Sequence, residues 1–326
     1  MNKIPSVIVF SDLIHSGCSF WRSQGVYLEL AREGHINMLE GNWDNTWTTL
    51  RGADIAVFQR PMSIDIKNQV FMAKDCGLKV IIDLDDYNHI HPSHPVYSEW
   101  CKKYNEKTFQ KIMMLADVVT VTTKPLQDYY LTYNNNVKII PNALNDYWLP
   151  FRKLSTNSVI ILRAGDHHLS DIWKYKEEIK QVMSENKEWE LHVLGCEIDF
   201  LKDISGYKFI GDFNIHDYFA YILRTNPSIF IVPLEDNELN RCKSNISWLE
   251  STLAGSASLT PHWWKLNNCS LTYKDGKSFA LNMNRLIKEP ELRKELYNKS
   301  YQKVQSEYLL SKVNNKRIEV IKNLIK

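Results

Sequence analysis

Between Ser228 and Pro261 the chain holds a cluster of residue types suited to binding phosphate and sugar. Asn240, Arg241, Lys243 and Ser244 sit in a polar stretch after an apolar run, Ile229 to Val232, and ahead of a helical pattern. In that pattern Ile246, Leu249 and Leu253 share one face, and Gly255 supplies the stop. A second apolar run, Ala257 to Leu259, ends at Pro261. Strand, basic loop, helix and strand place Lys243 and Ser244 at a helix N-terminus, where unbonded N–H groups and the helix dipole suit a phosphate. Glu250, further along the helix, is a carboxylate able to accept from ribose hydroxyls. Together these residues predict a nucleotide site; the alternative is a plain βαβ unit with Glu250 as a solvated helix residue.

Three other stretches carry candidate chemistry. Gly17 and Arg22 follow the first strand and open the first helix, and loops at strand C-termini are where open α/β sheets take ligands. An ordinary turn for Gly17 and a surface ion pair for Arg22 are the competing readings. Asp83, Asp85 and Asp86 end an apolar strand ahead of His89, His91 and His94. Such a group could hold a divalent cation, or its carboxylates could line a crevice and order the loop; the second reading is preferred, and no metal is called for. Arg163, Gly165, His168 and Asp171 follow another strand. Asp171 is expected to N-cap the next helix.

The elements that must position these residues alternate along the chain. Strands are predicted at Ser6–Phe10, Ile36–Leu39, Ile55–Gln59, Val80–Leu84, Val118–Val121 and Val137–Ile140, with helices at Phe20–Arg32, Ile64–Asp75 and Ser98–Leu115. The rhythm restarts with Val159–Leu162, a helix over Trp173–Met183, Glu190–Leu194, Lys208–Ile210, a helix over Asp217–Arg224, and Ile229–Val232. From Glu289 onward the pattern is charged and helical. Two doubly wound α/β halves follow, with a turn-rich boundary near Asn142–Thr156.

The 326 residues suit two domains, and 44% hydrophobic with 24% charged content is that of a globular protein. The apolar runs are too short for a membrane span, and the first one lacks a leader's cleavage pattern, so a cytoplasmic location is expected. Six scattered cysteines without a Cys-x-x-Cys pair argue against a zinc ribbon or a disulfide framework. A net charge of +2 gives no nucleic-acid footprint by itself.

The Asn-x-x-Lys-Ser…Glu…Gly arrangement of Asn240, Lys243, Ser244, Glu250 and Gly255 resembles the donor half of GT-B glycosyltransferases, in a divergent GT4-like branch common in phages. The first of the family's two glutamates is replaced here by Cys242. Further matches lie in order along the chain: the Gly-x-x-His-x-x-Asp loop at Gly165, His168 and Asp171, the strand in ADVVTVTT, the strand-Pro-Asn end in VKIIPNA, and the Asp-x-Asp-Asp of Asp83, Asp85 and Asp86.

The resemblance implies two Rossmann-like domains facing across a cleft: 1–150 on the acceptor side, 151–305 for the donor, and a C-terminal helix, 306–326, crossing back. It implies a retaining transfer of a sugar from a nucleoside-diphosphate sugar, most simply a UDP-sugar, to a hydroxyl. Lys243, Arg163 and Asp85 form the catalytic set. Gly17, Arg22, His168, Asn240, Arg241, Ser244 and Glu250 bind the donor, Glu250 through the ribose. Asp83, Asp86, His91 and His94 lie on the acceptor side.

The preferred acceptor is a hydroxymethylated pyrimidine in duplex DNA, in a host cytoplasm if the gene is a phage's, with Lys102, Lys103, Lys107 and Lys111 as a basic helix face. A cell-surface glycan or lipid-linked precursor is the alternative. No protein partner is implied. Two rivals remain: a non-catalytic nucleotide-sugar binding module, suggested by Cys242, and a metal-dependent transferase of GT-A type built on Asp83 and Asp85.

Overall fold

The computed structural model describes residues 3–11, 16–41, 50–61, 64–88, 97–98, 105–149, 154–165, 168–211 and 213–326. The chain forms two compact units. One comprises Met1–Ala143, Cys242–Ser244 and Leu310–Lys326; the other comprises Leu144–Arg241 and Asn245–Leu309.

The first unit is built on six parallel strands: β1 (Ser6–Phe10), β2 (Asn37–Glu40), β3 (Ile55–Gln59), β4 (Lys79–Leu84), β5 (Val118–Val121) and β6 (Val137–Ile139), in the order β2-β1-β3-β4-β5-β6. The strands β3 and β5 are buried along their whole length, because helices cover both faces of a parallel sheet. The core joins Val7, Val9, Ile55, Val57 and Ile81 to Val26, Tyr27 and Leu30 of helix Gln24–Arg32. Leu310, Val313 and Ile321 of the last helix, Leu310–Leu324, complete it, so the C-terminus packs into the first unit.

The second unit has six further parallel strands: β7 (Val159–Ala164), β8 (Glu190–Gly195), β9 (Tyr207–Gly211), β10 (Ile229–Ile231), β11 (Ala257–Pro261) and β12 (Leu271–Tyr273), in the order β12-β11-β10-β7-β8-β9. The sheet grows from β7 through β8 to β9, then resumes at β10 on the other side of β7. The order therefore reverses between β7 and β10, and the crevice beyond the C-terminal ends of two such strands is where open α/β sheets hold ligands. Its core packs Ile160, Leu162, Val193, Ile231 and Leu259 against Ile179, Phe279 and Leu286.

Several elements depart from the sequence reading for local reasons. The helix expected over Phe20–Arg32 is two helices, Gly17–Arg22 and Gln24–Arg32, broken at Ser23 (φ −122°, ψ −88°). There the Ser23 hydroxyl bonds Gln59 Oε1 at 2.6 Å and Ser11 Oγ at 2.6 Å. Gly25 lets the second helix start close to the first, since a Cβ there would overlap the carbonyl of Phe20. The helix expected over Trp173–Met183 likewise divides at Tyr175 into Leu169–Lys174 and Lys176–Glu185. Helix Glu106–Leu115 begins behind an Asn105 cap, and residues 99–104 of the longer expected helix lie outside the described residues. The strand β12 and helix Gly276–Lys288 add to the expected elements.

Candidate functional site

In the second unit, the C-terminal end of β7 carries Arg163, whose side chain is 42% exposed on an otherwise covered strand. Its Nη1 donates to both Glu250 oxygens, at 3.0 and 3.2 Å, and its guanidinium lies 5.3 Å from the centre of the Tyr218 ring. The Tyr218 hydroxyl donates to Glu250 Oε2 at 2.8 Å. Burial, and then the charge of Glu250, push that hydroxyl's pKa well above its ordinary value, so it stays protonated and a donor near neutral pH.

Tyr218 is placed by helix Ile215–Thr225, capped by Asn214, whose stripe Ile215, Tyr218, Phe219 and Ile222 faces inward. Glu250 is placed by helix Ile246–Leu253 and has no exposed surface. Glu250, read from the sequence as a ribose acceptor, has its carboxylate enclosed and engaged by Arg163 and Tyr218.

A second group lies in the same unit. Asp171 accepts from Asn240 Nδ2 at 2.7 Å, from the Glu235 backbone N–H at 3.1 Å, and pairs with His168 Nδ1 at 2.8 Å. An ionised carboxylate can only accept, so Nδ1 carries the hydrogen and the imidazole tautomer is set. Asp171 is therefore not the N-cap that was expected. His168 occupies the cap position, without a side-chain cap bond, and Asp171 lies in the first turn of Leu169–Lys174. Asn240 also donates to the Glu235 carbonyl at 3.0 Å, while its own Oδ1 is buried without a hydrogen-bond partner among the described residues. The exposed Arg241 forks onto Asp236 at 2.6 and 3.0 Å.

In the first unit, Arg22 is fully buried and forks onto Asp83 at 2.9 and 2.7 Å. Its Nη1 donates to the Ile140 carbonyl at 2.7 Å and to Asn142 Oδ1 at 3.2 Å, and Thr120 donates to Asp83 at 2.6 Å. These enclosed partners correct two expectations: Arg22 is not presented to a donor, nor Asp83 to an acceptor. Both act as an internal strut across the sheet.

Arg60, in the left-handed region at φ 47° just past β3, reaches Asp85 at 2.5 Å and Asp86 at 3.6 Å. With Asp83 on Arg22 and Asp85 on Arg60, the two carboxylates read as a metal pair each face an arginine. Lys243 donates to both oxygens of Asp86, at 2.9 and 3.0 Å. Burial alone would raise the Asp86 carboxyl, but Lys243 and then Arg60 hold it well below the usual carboxylate range. Asn142 Nδ2 donates to Ser244 Oγ at 3.0 Å, and Thr123 Oγ1 to the Cys242 carbonyl at 3.0 Å. Ser244 immediately precedes Asn245, the cap residue of the helix that carries Glu250. Gly17 opens helix Gly17–Arg22 behind Ser16, whose hydroxyl accepts from the Ser19 N–H at 3.1 Å.

His89, His91, His94, Lys102 and Lys103 lie outside the described residues; Lys107 and Lys111 are on helix Glu106–Leu115. The structure thus joins Arg163 to Glu250, His168 and Asn240 to Asp171, and Lys243 to Asp86. Sequence reasoning passed over Tyr218 and Arg60. A tyrosine inside an apolar stripe reads as core, and its carboxylate partner lies 32 positions away.

No protein-family model and no curated protein matches the chain. Solved structures do. TarM of S. aureus, crystallised as a variant with UDP, fondaparinux and α-GlcNAc-glycerol, superposes with a TM-score of 0.58 at 11% identity over 81% of this chain. This chain spans only 55% of TarM's length. HepE of Anabaena, in complex with UDP, gives a TM-score of 0.63 at 11% identity, over 98% of this chain and all of HepE. WaaG, a glycosyltransferase involved in lipopolysaccharide biosynthesis, gives 0.60 at 11% identity over 97% of this chain and 99% of its own. The likeness at such identity is one of fold: the two six-stranded parallel α/β units are those of the GT-B glycosyltransferases. No helix among the described residues is long and apolar enough to cross a membrane.

Proposed function

We propose that the chain is a retaining glycosyltransferase that moves a sugar from UDP to an acceptor hydroxyl. The observation that carries this is Arg163, a cation nearly half open to solvent, fixed on a buried carboxylate at the β7 end where the strand order reverses. The reaction breaks the bond between the sugar's anomeric carbon and the diphosphate, and the departing UDP gathers negative charge. A fixed guanidinium stabilises that charge without having to reorganise. His168, with its tautomer set by Asp171, is assigned to the sugar or its phosphate. Lys243, the other cation read from the sequence, is held on Asp86 within the first unit. UDP is the nucleotide of choice because it is bound in the HepE and TarM structures.

For the acceptor, the lipopolysaccharide role of WaaG supports a glycan or its precursor. The duplex-DNA acceptor rests on the basic helix face, of which Lys107 and Lys111 lie on the described helix. Calorimetric titration with UDP, followed by incubation of UDP-sugars with a glycan primer panel and with hydroxymethylated DNA, tests both levels. Mass spectrometry of the products separates the acceptors. No UDP binding, with no donor turnover on either panel, would remove the enzyme reading and leave a non-catalytic fold relative.

A further inference from the structure

Arg163 projects from a strand end, where a long side chain keeps several rotamers unless something holds it. Two side chains do. Glu250 takes Nη1 at 3.0 and 3.2 Å, and the Tyr218 ring lies 5.3 Å beneath the guanidinium. Tyr218 also ties down Glu250 itself, through its hydroxyl at 2.8 Å on Oε2. Tyr218 and Glu250 are enclosed, whereas Arg163 is 42% exposed. The order of burial runs from an enclosed pair outward to a half-exposed cation. Buried charge of this kind costs desolvation, which a plain hydrophobic packing of the two helices would avoid.

We propose that Tyr218 and Glu250 are positioning residues that hold Arg163 toward the diphosphate of the bound nucleotide, so that Glu250 serves the phosphate through Arg163 and does not hold the ribose. This rests on the UDP-sugar reading above and assigns the internal support of that site. Tyr218 acts twice, as a ring under the guanidinium and as the hydroxyl that keeps the carboxylate turned toward it. Removing the hydroxyl leaves the ring in place and lets Glu250 rotate, so Arg163 loses its geometry while keeping its charge.

The test uses the full chain, titrated calorimetrically with UDP and, by displacement, with uridine. Four proteins are compared: wild type, Tyr218→Phe, Arg163→Met and the double variant, each with its melting temperature. The expected result is that Tyr218→Phe weakens UDP about tenfold and leaves uridine within about twofold. In the Arg163→Met background the same change should have less than about a twofold effect on UDP. Glu250→Gln, which keeps the shape and drops the charge, should repeat the pattern and serves if Tyr218→Phe does not fold. Equal losses for UDP and uridine, or an undiminished loss in the Arg163→Met background, would overturn the assignment and return Glu250 to the ribose. Unchanged UDP affinity in Tyr218→Phe would overturn it too. A wild type that binds no UDP would defeat the glycosyltransferase reading, a failure that no variant comparison can imitate.

Discussion

Lys243 Nζ lies 2.9 and 3.0 Å from the two oxygens of Asp86, a residue 157 positions away. The loop lysine that the sequence offered as an open phosphate cation is thus already neutralised. Arg60 adds a second positive charge at 3.6 Å. The Cys242–Ser244 segment is therefore anchored in the first unit by an ion pair, by Asn142 on Ser244 and by Thr123 on the Cys242 carbonyl.

Acid should release that anchor. The folded Asp86 carboxyl titrates below the usual range, despite burial, because Lys243 and Arg60 favour its charged form. A group depressed in the folded state stabilises fully above its unfolded value, about 3.9, and loses that contribution as pH falls toward the folded value. Wild-type melting temperature should therefore drop faster below about pH 4 than that of Asp86→Asn. At pH 7 the variant should be less stable by about 1 kcal/mol. Parallel acid limbs in thermal scans from pH 3 to 7 would contradict the pairing.

The Arg22–Asp83 strut makes a larger prediction. Both side chains are enclosed, and removing one leaves the other buried without the opposite charge it forks onto. Asp83→Ala should cost about 3–5 kcal/mol in urea unfolding, as should Arg22→Ala. Replacing both together, Arg22→Met with Asp83→Leu, should recover much of that loss, because no charge then stays buried. Losses that simply add in the double variant would show that the two do not act as a pair.

What the sequence made legible was the part of the fold written locally. Parallel strands buried on both faces are apolar runs, and β1, β3 and β5 fall where such runs occur. The strand β12 has three residues, Leu271–Tyr273, too few for any periodicity; it is held from outside, by Tyr273, whose hydroxyl bonds the Val232 carbonyl at 2.7 Å. The break at Ser23 is held in part by Ser11 and Gln59, partners outside the helix that no local pattern announces. The same limit governs the site. Arg163 and Glu250 stand out by type, but their pairing spans 87 positions. Arg22 looks like a ligand residue until its partner, 61 positions on, comes into view.

Gly195 links the fold to the site. It ends β8 at φ +109°, opposite Ala164, the residue after Arg163. A Cβ there would overlap the Ala164 carbonyl oxygen, and backbone cannot swing aside as a side chain can. Gly195→Ala should therefore destabilise by about 2 kcal/mol or more, combining left-handed strain with the clash. It should also weaken UDP binding, since the displaced strand end carries Arg163. Wild-type stability and affinity together would show that this strand end tolerates movement.

The last prediction concerns the cation itself. If Arg163 stabilises departing UDP, Arg163→Ala should lower kcat/KM for the UDP-sugar about a hundredfold or more, since one preorganised charged donor is worth about 3 kcal/mol in the transition state. The fold should survive, because a half-exposed side chain packs little, although Glu250 is then left with Tyr218 alone and some stability is lost with it. Arg163→Lys is the sharper variant. Lysine keeps the charge but cannot bond Glu250 and overlie Tyr218 with the same planar fork. It should therefore recover donor affinity more than turnover, as expected when charge is present but held in the wrong geometry. Steady-state measurement of UDP release, with KM and kcat separated, reads both. Full recovery of kcat by lysine would mean that charge alone suffices. Unchanged kinetics in Arg163→Ala would take the β7 end out of the reaction altogether.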